Sequence, residues 1–338
     1  MSEAGGDYPH PGWINVFMRL MKLRVIILLQ ITAICAILVH DMLARHGLID
    51  VVRTWQDTFY ASIITIIGGT LSAGGSNSIN MWFDADIDKD MRRTENRPIP
   101  VGHISPTGAL VFGIIIALLG CSIFLLVSWK AAFWSLFSVL FYVLIYTIWL
   151  KRRTPQNIVI GGIAGSTPPL IGWAVAAAEY TNNTNPLDLG SAIPWMLFAL
   201  IFLWTPPHFW ALALYRSGEY AKASVPMMNE VKGAEHTLYQ SKVYCVLLFM
   251  LGSVPCFWPE SGLPLLWAFI AGGLTLWYSA SVWSIDPEEP FDENGRMPKA
   301  AKSFFRSLYY LGLMFLLLVI VSMIPPESLG YFGPLSYD

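Results

Sequence analysis

A run of oxygen-bearing side chains, Asn77, Asn80, Asp84, Asp86, Asp88 and Asp90, follows directly on an apolar stretch, and Arg92, Arg93 and Arg97 come just after it. No strong turn residue intervenes before Pro98, so the acids should leave the apolar stretch as helix. At about 100° per residue, Asn77, Asn80, Asp84 and Asp88 share an arc of roughly 80°, while Asp86 points the opposite way. Hard oxygen ligands spaced i, i+4 suit Mg2+, which is usually held by one or two carboxylates together with phosphate oxygens. The arginines supply forked donors that match diphosphate. Asp84 and Asp88 are thus candidate metal ligands, in a site that would ionise a diphosphate. The alternative is a solvated helix end whose charges pair among themselves, Asp88 with Arg92 for example.

Two further segments carry chemistry. In Trp204-Thr-Pro206-Pro207-His208-Phe209 the paired prolines remove two backbone donors, so a helix break with a restart at His208 is expected. The same angular arithmetic places Leu212, Tyr215 and Glu219 below His208, with Arg216 to the side. A histidine inside an apolar span is a functional candidate, the alternative being a neutral imidazole bonded to a helix carbonyl. Tyr146 and the bases Lys151, Arg152 and Arg153 end another span. They serve either as a topology signal or as an attractor for an anionic substrate.

What positions these groups is a membrane-embedded bundle. The chain has 338 residues, 55% of them hydrophobic and 13% charged, about half the charged share of soluble domains. Windows of about 18 apolar residues mark nine spans, near 24–44, 60–83, 107–128, 131–150, 156–178, 192–214, 242–259, 263–284 and 304–324. A cytoplasmic N-terminus puts all Lys and Arg except Arg45, Arg53 and Lys130 on the inner side, 18 of 21. The positive-inside rule then sets the C-terminus outside. The expected organisation is a cytoplasmic segment 1–23, one membrane domain 24–324 and an external tail 325–338. The first residues show neither a signal-peptide pattern nor that of a transit peptide, so a plasma (inner) membrane is expected. Cys35, Cys121, Cys245 and Cys256 lie in apolar runs without metal spacing. The net charge of −2 says nothing about nucleic acid, and no nucleic-acid partner is expected.

The motifs resemble those of the UbiA-type intramembrane prenyltransferases and, within them, the heme O synthases. Asn80, Asp84 and Asp88 match the superfamily's N-x-x-x-D-x-x-x-D, and NMWFDADIDKDMRRTENRPIP, YTIWLKRRTPQNIVIGGIAGSTPPLIGW and WTPPHFWALALYRSGEYAKASVPM match the heme-farnesylating branch at length. The resemblance implies an all-α bundle around a central cavity and a reaction of heme b with farnesyl diphosphate and water to give heme O and diphosphate. Mg2+–diphosphate would lie on Asn80, Asp84 and Asp88, clamped by Arg93, Arg97 and Lys151. Asn77, Tyr146, Arg152, His208, Tyr215, Arg216 and Glu219 would complete substrate binding. Trp82, Tyr142, Tyr146, Trp204 or Phe209 could shelter an allylic cation. The product would pass to a heme A synthase or an oxidase-assembly partner. One departure stands out: where the superfamily has a second D-x-x-x-D, this chain has Tyr215-Arg216-Ser-Gly-Glu219, a single acid. A relative acting on a phenolic or chlorin acceptor would carry both acids of that motif. An ion-coupled transporter would carry its acids at the bilayer midplane, in paired repeats.

Overall fold

Helices dominate because a backbone in lipid must satisfy its hydrogen bonds within its own segment. The computed structural model describes residues 11–91, 94–181, 183–216, 225–253, 264–293 and 296–325, and every regular element among them is helical. In chain order these are α1 Trp13–Met21, α2 Leu23–Arg45, α3 Trp55–Phe83, α4 Pro106–Phe124, α5 Trp129–Leu150, α6 Asn157–Ala176, α7 Ile193–Tyr215, α8 Ala234–Ser253, α9 Leu265–Trp283 and α10 Pro298–Ser322. Single helical turns cover Ala85–Asp88 and Met228–Lys232.

Eight of these helices, α2–α7, α9 and α10, are long and apolar enough to cross a membrane. The ninth span expected, 242–259, corresponds to α8. That helix begins eight residues earlier and spends its first turns on Glu235, His236, Gln240 and Lys242. The residues that would extend it beyond Ser253, including Cys256, lie outside those described, as does the tail from 326 on. The other expected spans coincide with helices to within a few residues. The outward faces carry Ile66, Val111, Ile115, Leu118, Phe269, Leu276 and Leu316, as a lipid-facing surface should.

Local sequence sets the helix starts. Thr54 and Asp57 form a capping box at α3, and Ser105 and Ser128 cap α4 and α5 through the amides of Gly108 and Ala131. Small residues let α3 and α4 pack with their backbones nearly touching. A Cβ on Gly120 would lie 2.3 Å from the Ser72 amide nitrogen, a contact that excludes any larger side chain. Trp173, Trp210, Trp267, Tyr278 and Tyr310 fill the interior behind this pair.

Two identical Thr-Pro-Pro triplets behave differently. The expected break at Pro206-Pro207 does not occur: α7 runs unbroken through both prolines. Just before them Thr205 Oγ1 donates back to the Ile201 carbonyl of the same helix at 2.7 Å. The break falls instead at Thr167, where α6 divides into Asn157–Ser166 and Pro168–Ala176. There the carbonyl of Ala164, deprived of a donor by Pro168, accepts from Ser138 Oγ at 3.0 Å and from Thr167 Oγ1 at 2.9 Å.

Candidate functional site

The acidic stripe forms at the C-terminal end of α3, where Asp84 caps the helix and the turn Ala85–Asp88 continues it. The amides of Asp84 and Asp88 bond to the Asn80 and Asp84 carbonyls at 3.0 and 2.9 Å, which keeps the helical progression. Asp84 and Asp88 consequently face inward and are fully buried, whereas the side chain of Asp86 is 61% exposed. The expected division of faces is what the fold builds.

Each buried carboxylate has its own cation. Lys151, at the end of α5, donates to Asp84 Oδ2 at 2.5 Å, and Arg97 Nη1 grips both Asp88 oxygens at 2.7 and 2.6 Å. Asn80 joins the parts: its Nδ2 donates to Asp84 Oδ2 at 2.9 Å and to Thr147 Oγ1 at 3.2 Å, and its Oδ1 accepts from Lys22 Nζ at 2.9 Å. The last ten residues of α5, Phe141–Leu150, wind as π-helix, a register often found at functional sites. They carry Thr147 and, one residue beyond, Lys151 into the site.

Lys22 is a member of the site that sequence reasoning missed, having counted it only as a topology charge. It sits between α1 and α2 with φ 55°, the one non-glycine positive φ among the described residues, a conformation that costs a side-chain-bearing residue energy. Asn77, which shares the acidic face, does not point at the carboxylates. Its Nδ2 donates to the Met21 carbonyl at 2.9 Å, holding the turn that aims Lys22.

Burial pushes Lys22 well below the ordinary lysine range, reinforced by repulsion from Arg97 and Lys151, and it lowers Lys151 against the opposing pull of Asp84. Burial also raises the Asp88 carboxyl, against the pull of Arg97. Counted formally, Lys22, Arg97 and Lys151 exceed Asp84 and Asp88 by one positive charge.

Arg152 serves the other face of the turn. Its guanidinium spans both oxygens of Asp86 at 2.7 Å, donates to the Phe83 carbonyl at 3.0 Å and stays 3.7 Å from Asp84 Oδ1. It thus ties the outer face of the turn to α5 while remaining within ion-pairing distance of the buried Asp84. Arg93 and Glu219 lie outside the described residues.

His208 is buried in α7 between the rings of Trp204 and Phe304, at centroid distances of 4.2 and 4.8 Å. Its Nδ1 meets Ser307 Oγ at 2.5 Å, and Ser307 gives its own hydrogen to the Phe304 carbonyl. Ser307 must then accept from Nδ1–H, which leaves the neutral ring's lone pair on Nε2. Phe209, next to His208, and Ala213, about one turn further along α7, pack with Ile87, Met91 and Tyr146 beside the acidic turn. Tyr215 lies in a separate apolar cluster with Leu238 and Met297, flanked by the guanidinium groups of Arg216 and Arg296.

The donor set suits magnesium. Asp84 Oδ1 is buried and accepts no hydrogen bond, an expensive state unless a cation supplies the missing partner. Among the described residues no three His, Cys, Asp or Glu side chains converge on one point. Two carboxylates would therefore bind the ion, with phosphate oxygens completing its shell, as Mg2+ prefers.

Residues 33–309 match the model of the UbiA prenyltransferase family. A protoheme IX farnesyltransferase of Bartonella tribocorum is 40% identical over 327 residues, covering 96% of each chain. That of Parvibaculum lavamentivorans is 42% identical over 311 residues, 91% of this chain and 89% of the relative. Among solved structures, a digeranylgeranylglyceryl phosphate synthase superposes with TM-score 0.68 at 16% identity, over 92% of this chain and 98% of that one. A UbiA homolog from Archaeoglobus fulgidus bound to DMAPP and Mg2+ superposes with TM-score 0.61 at 13% identity, over 90% and 99% of the two chains. The chain belongs to the UbiA prenyltransferase family.

Proposed function

We propose that this protein transfers the farnesyl group of farnesyl diphosphate to a vinyl group of heme b, with addition of water, giving heme O and diphosphate. The observation that carries the prenyl-transfer half is the buried pair Asp84 and Asp88, each clasped by a cation, with one acceptor oxygen left over. The names of the relatives, together with the single acid in the second motif position, favour heme over a phenolic or chlorin acceptor.

The charges fit such a substrate. A prenyl diphosphate carries about three negative charges at neutral pH, and a magnesium ion two positive ones. Their sum of about −1 offsets the surplus of one positive charge counted among Lys22, Arg97, Lys151 and the two acids. Bound Mg2+ would stabilise the charge that builds on the departing diphosphate. On its arrival Lys151 and Arg97 can turn from the carboxylates to phosphate oxygens, and Lys22 reaches the same point from the α1–α2 turn. The site thus exchanges one set of ion pairs for another and leaves no charge buried alone. Aromatic rings beyond it, Tyr146 and Phe209 among them, shield the allylic cation from bulk water.

The test is pigment analysis of membranes from a host lacking its own heme O synthase. Heme O should appear on expression of this chain, and its absence from membranes that contain the protein would reject the assignment. His208 supplies a second test. Its lone pair on Nε2 suits it to ligate heme iron or to accept a hydrogen bond from a propionic acid group. His208→Ala should weaken heme binding about tenfold or more, read from the Soret band on titration, and leave farnesyl diphosphate binding near the parent value. An unchanged heme titration would reduce His208 to a packing residue.

The carboxylates share one end of the bundle with most of the basic residues, so the reading places the site at the cytoplasmic face of the plasma membrane. Loop glycines make neutral insertion points for topology reporters. Fusions at Gly102 and Gly233 should report cytoplasmic, and those at Gly47 and Gly190 external. Any one of the four on the wrong side would overturn this orientation.

A further inference from the structure

α1 carries three pairs of side chains, each pair one turn apart, that point in three directions. Ile14 and Met18 share one side, Asn15 and Arg19 the next, about 100° round, and Val16 and Leu20 a third, about 100° beyond that. Val16 and Leu20 are fully buried, in a cluster with Met81, Ile99, Ile104 and Ala109. Asn15 and Arg19 are exposed, and Arg19 Nη2 donates to the Asn96 carbonyl at 2.6 Å. Ile14 and Met18 are apolar and yet 77% and 42% exposed. Trp13 and Phe17 fill the arc between the buried pair and the exposed one. A helix that covers protein with one side and meets water with the rest needs a single apolar stripe. In α1 the apolar side chains extend over about 200°, and one polar ridge interrupts them.

The place of α1 in the bundle says what covers its second apolar side. Phe17 stacks on Phe112 of α4 with ring centroids 4.4 Å apart. Phe112 lies about 9 Å along α4 from the first residue of that helix. α1 therefore rests at the level of the outermost turns of the spans, at the end of the bundle that holds the carboxylates. Next to Phe112, Val111 is exposed on the outward face of α4. At the other end of α1 a single residue, Lys22, leads into α2, where Val25 and Ile27 are exposed. The open side of α1 thus continues the lipid-facing surface of its two neighbours. Helices that lie in the plane of a membrane bury their apolar face about 5–10 Å into the boundary between headgroups and acyl chains. That is the depth of Phe112, and tryptophan, as at position 13, favours the same level.

We propose that α1 is seated in the membrane interface at the carboxylate end of the bundle, with Ile14 and Met18 among the upper acyl chains, Asn15 and Arg19 toward water, and Val16 and Leu20 against the protein. The partner of this surface is the lipid bilayer itself. The seat matters because α1 holds both flanks of the site. Its last residue, Met21, offers the carbonyl that Asn77 grips and leads directly into Lys22. Arg19 holds the Asn96 carbonyl, next to Arg97, which clasps Asp88. A left-handed turn such as that at Lys22 persists only where its surroundings over-determine it. Fixed between bilayer and protein, α1 keeps that turn from relaxing and so keeps Lys22 aimed at the carboxylates. The location stands on the apolar pattern alone, whereas the positioning of Lys22 rests on the diphosphate reading above.

Spin labels on single cysteines at positions 14, 15 and 18 test the seat, in full-length protein whose four native cysteines are replaced by alanine and which is reconstituted in phospholipid vesicles. Collision with oxygen, which concentrates among acyl chains, is compared with collision with a water-soluble nickel chelate. The oxygen-to-nickel ratio at 14 and 18 should exceed that at 15 about fivefold or more. Equal ratios at the three positions would put the face in water and overturn the proposal. Labels at 14 and 18 shielded from both reagents would mean that protein, a second copy included, covers the face, which overturns it equally. The positioning of Lys22 is read from the binding of farnesyl diphosphate with Mg2+ in the same vesicles. Ile14→Glu/Met18→Glu should weaken it about tenfold, and Ile14→Leu/Met18→Leu should leave it near the parent value. Unchanged binding in the glutamate variant would show that the turn holds without lipid and would overturn the positioning role. A parent protein that binds no farnesyl diphosphate would instead reject the diphosphate reading, and the spin-label ratios would still decide the seat.

Discussion

Replacing Asp84 or Asp88 by asparagine should each remove heme O formation by about a thousandfold or more while the protein still reaches the membrane. The size follows from what each carboxylate is placed to do. Both are buried, both lie on the inner face of one helical turn, and Asp84 Oδ1 has no hydrogen bond to lose. An amide at either position keeps the shape but contributes no charge. The leaving diphosphate would then lose its metal, and with it the largest stabilising contribution expected in such a site, worth 10²–10³ for a single donor and more for an ion. A chelator should silence the parent enzyme for the same reason, and added Mg2+ should restore it. Asp86→Ala is the internal control. That residue points outward and pairs with Arg152, and an ion pair at that exposure is worth up to about 1 kcal/mol. Its loss should therefore cost no more than about fivefold. Product formed per unit of membrane protein decides the matter, and equal losses at 84, 86 and 88 would refute the division of faces.

Why these parts could be read from the sequence, and others not, has a physical basis. Membrane spans depend on local composition, so a window over apolar residues located most helices to within a few positions. The acidic stripe was equally legible, because Asn80, Asp84 and Asp88 are related by helical spacing alone. Lys22 was not. Nothing local separates it from Arg19 or Arg24; its place in the site comes from a left-handed turn and from Asn77, fifty-five residues later, gripping the Met21 carbonyl. The prolines show the same limit. Thr167-Pro168-Pro169 and Thr205-Pro206-Pro207 have one local chemistry, yet only the first breaks its helix. At the broken one a neighbouring helix takes up the freed carbonyl, Ser138 of α5 donating to Ala164 at 3.0 Å, a contact that local sequence does not announce. Arg152 illustrates a third case: its charge was evident, but its position between Asp86 and Asp84 depends on a turn geometry that only the folded chain supplies.

Lys151→Met should produce an enzyme that is both inactive and unstable, and the instability alone should be reversible by a second substitution. In the ligand-free state Lys151 donates to Asp84, which is fully buried and has Arg152 as its next cation at 3.7 Å. Removing one partner of a buried pair leaves an uncompensated charge, at a cost of about 3–5 kcal/mol. Neutralising both partners should be nearly neutral or even favourable, since neither desolvation nor attraction then remains. The double variant Asp84→Asn/Lys151→Met should therefore regain most of the thermal midpoint lost in Lys151→Met, measured on detergent-purified protein. It should nonetheless form no heme O, because it has lost both a metal ligand and a cation of the diphosphate clamp. The comparison separates two roles that coincide in Lys151: holding Asp84 before substrate arrives, and meeting the diphosphate afterwards. Recovery of activity along with stability would show that the pair only holds the fold together. Failure of the double variant to regain stability would show that Lys151 is held by groups other than Asp84.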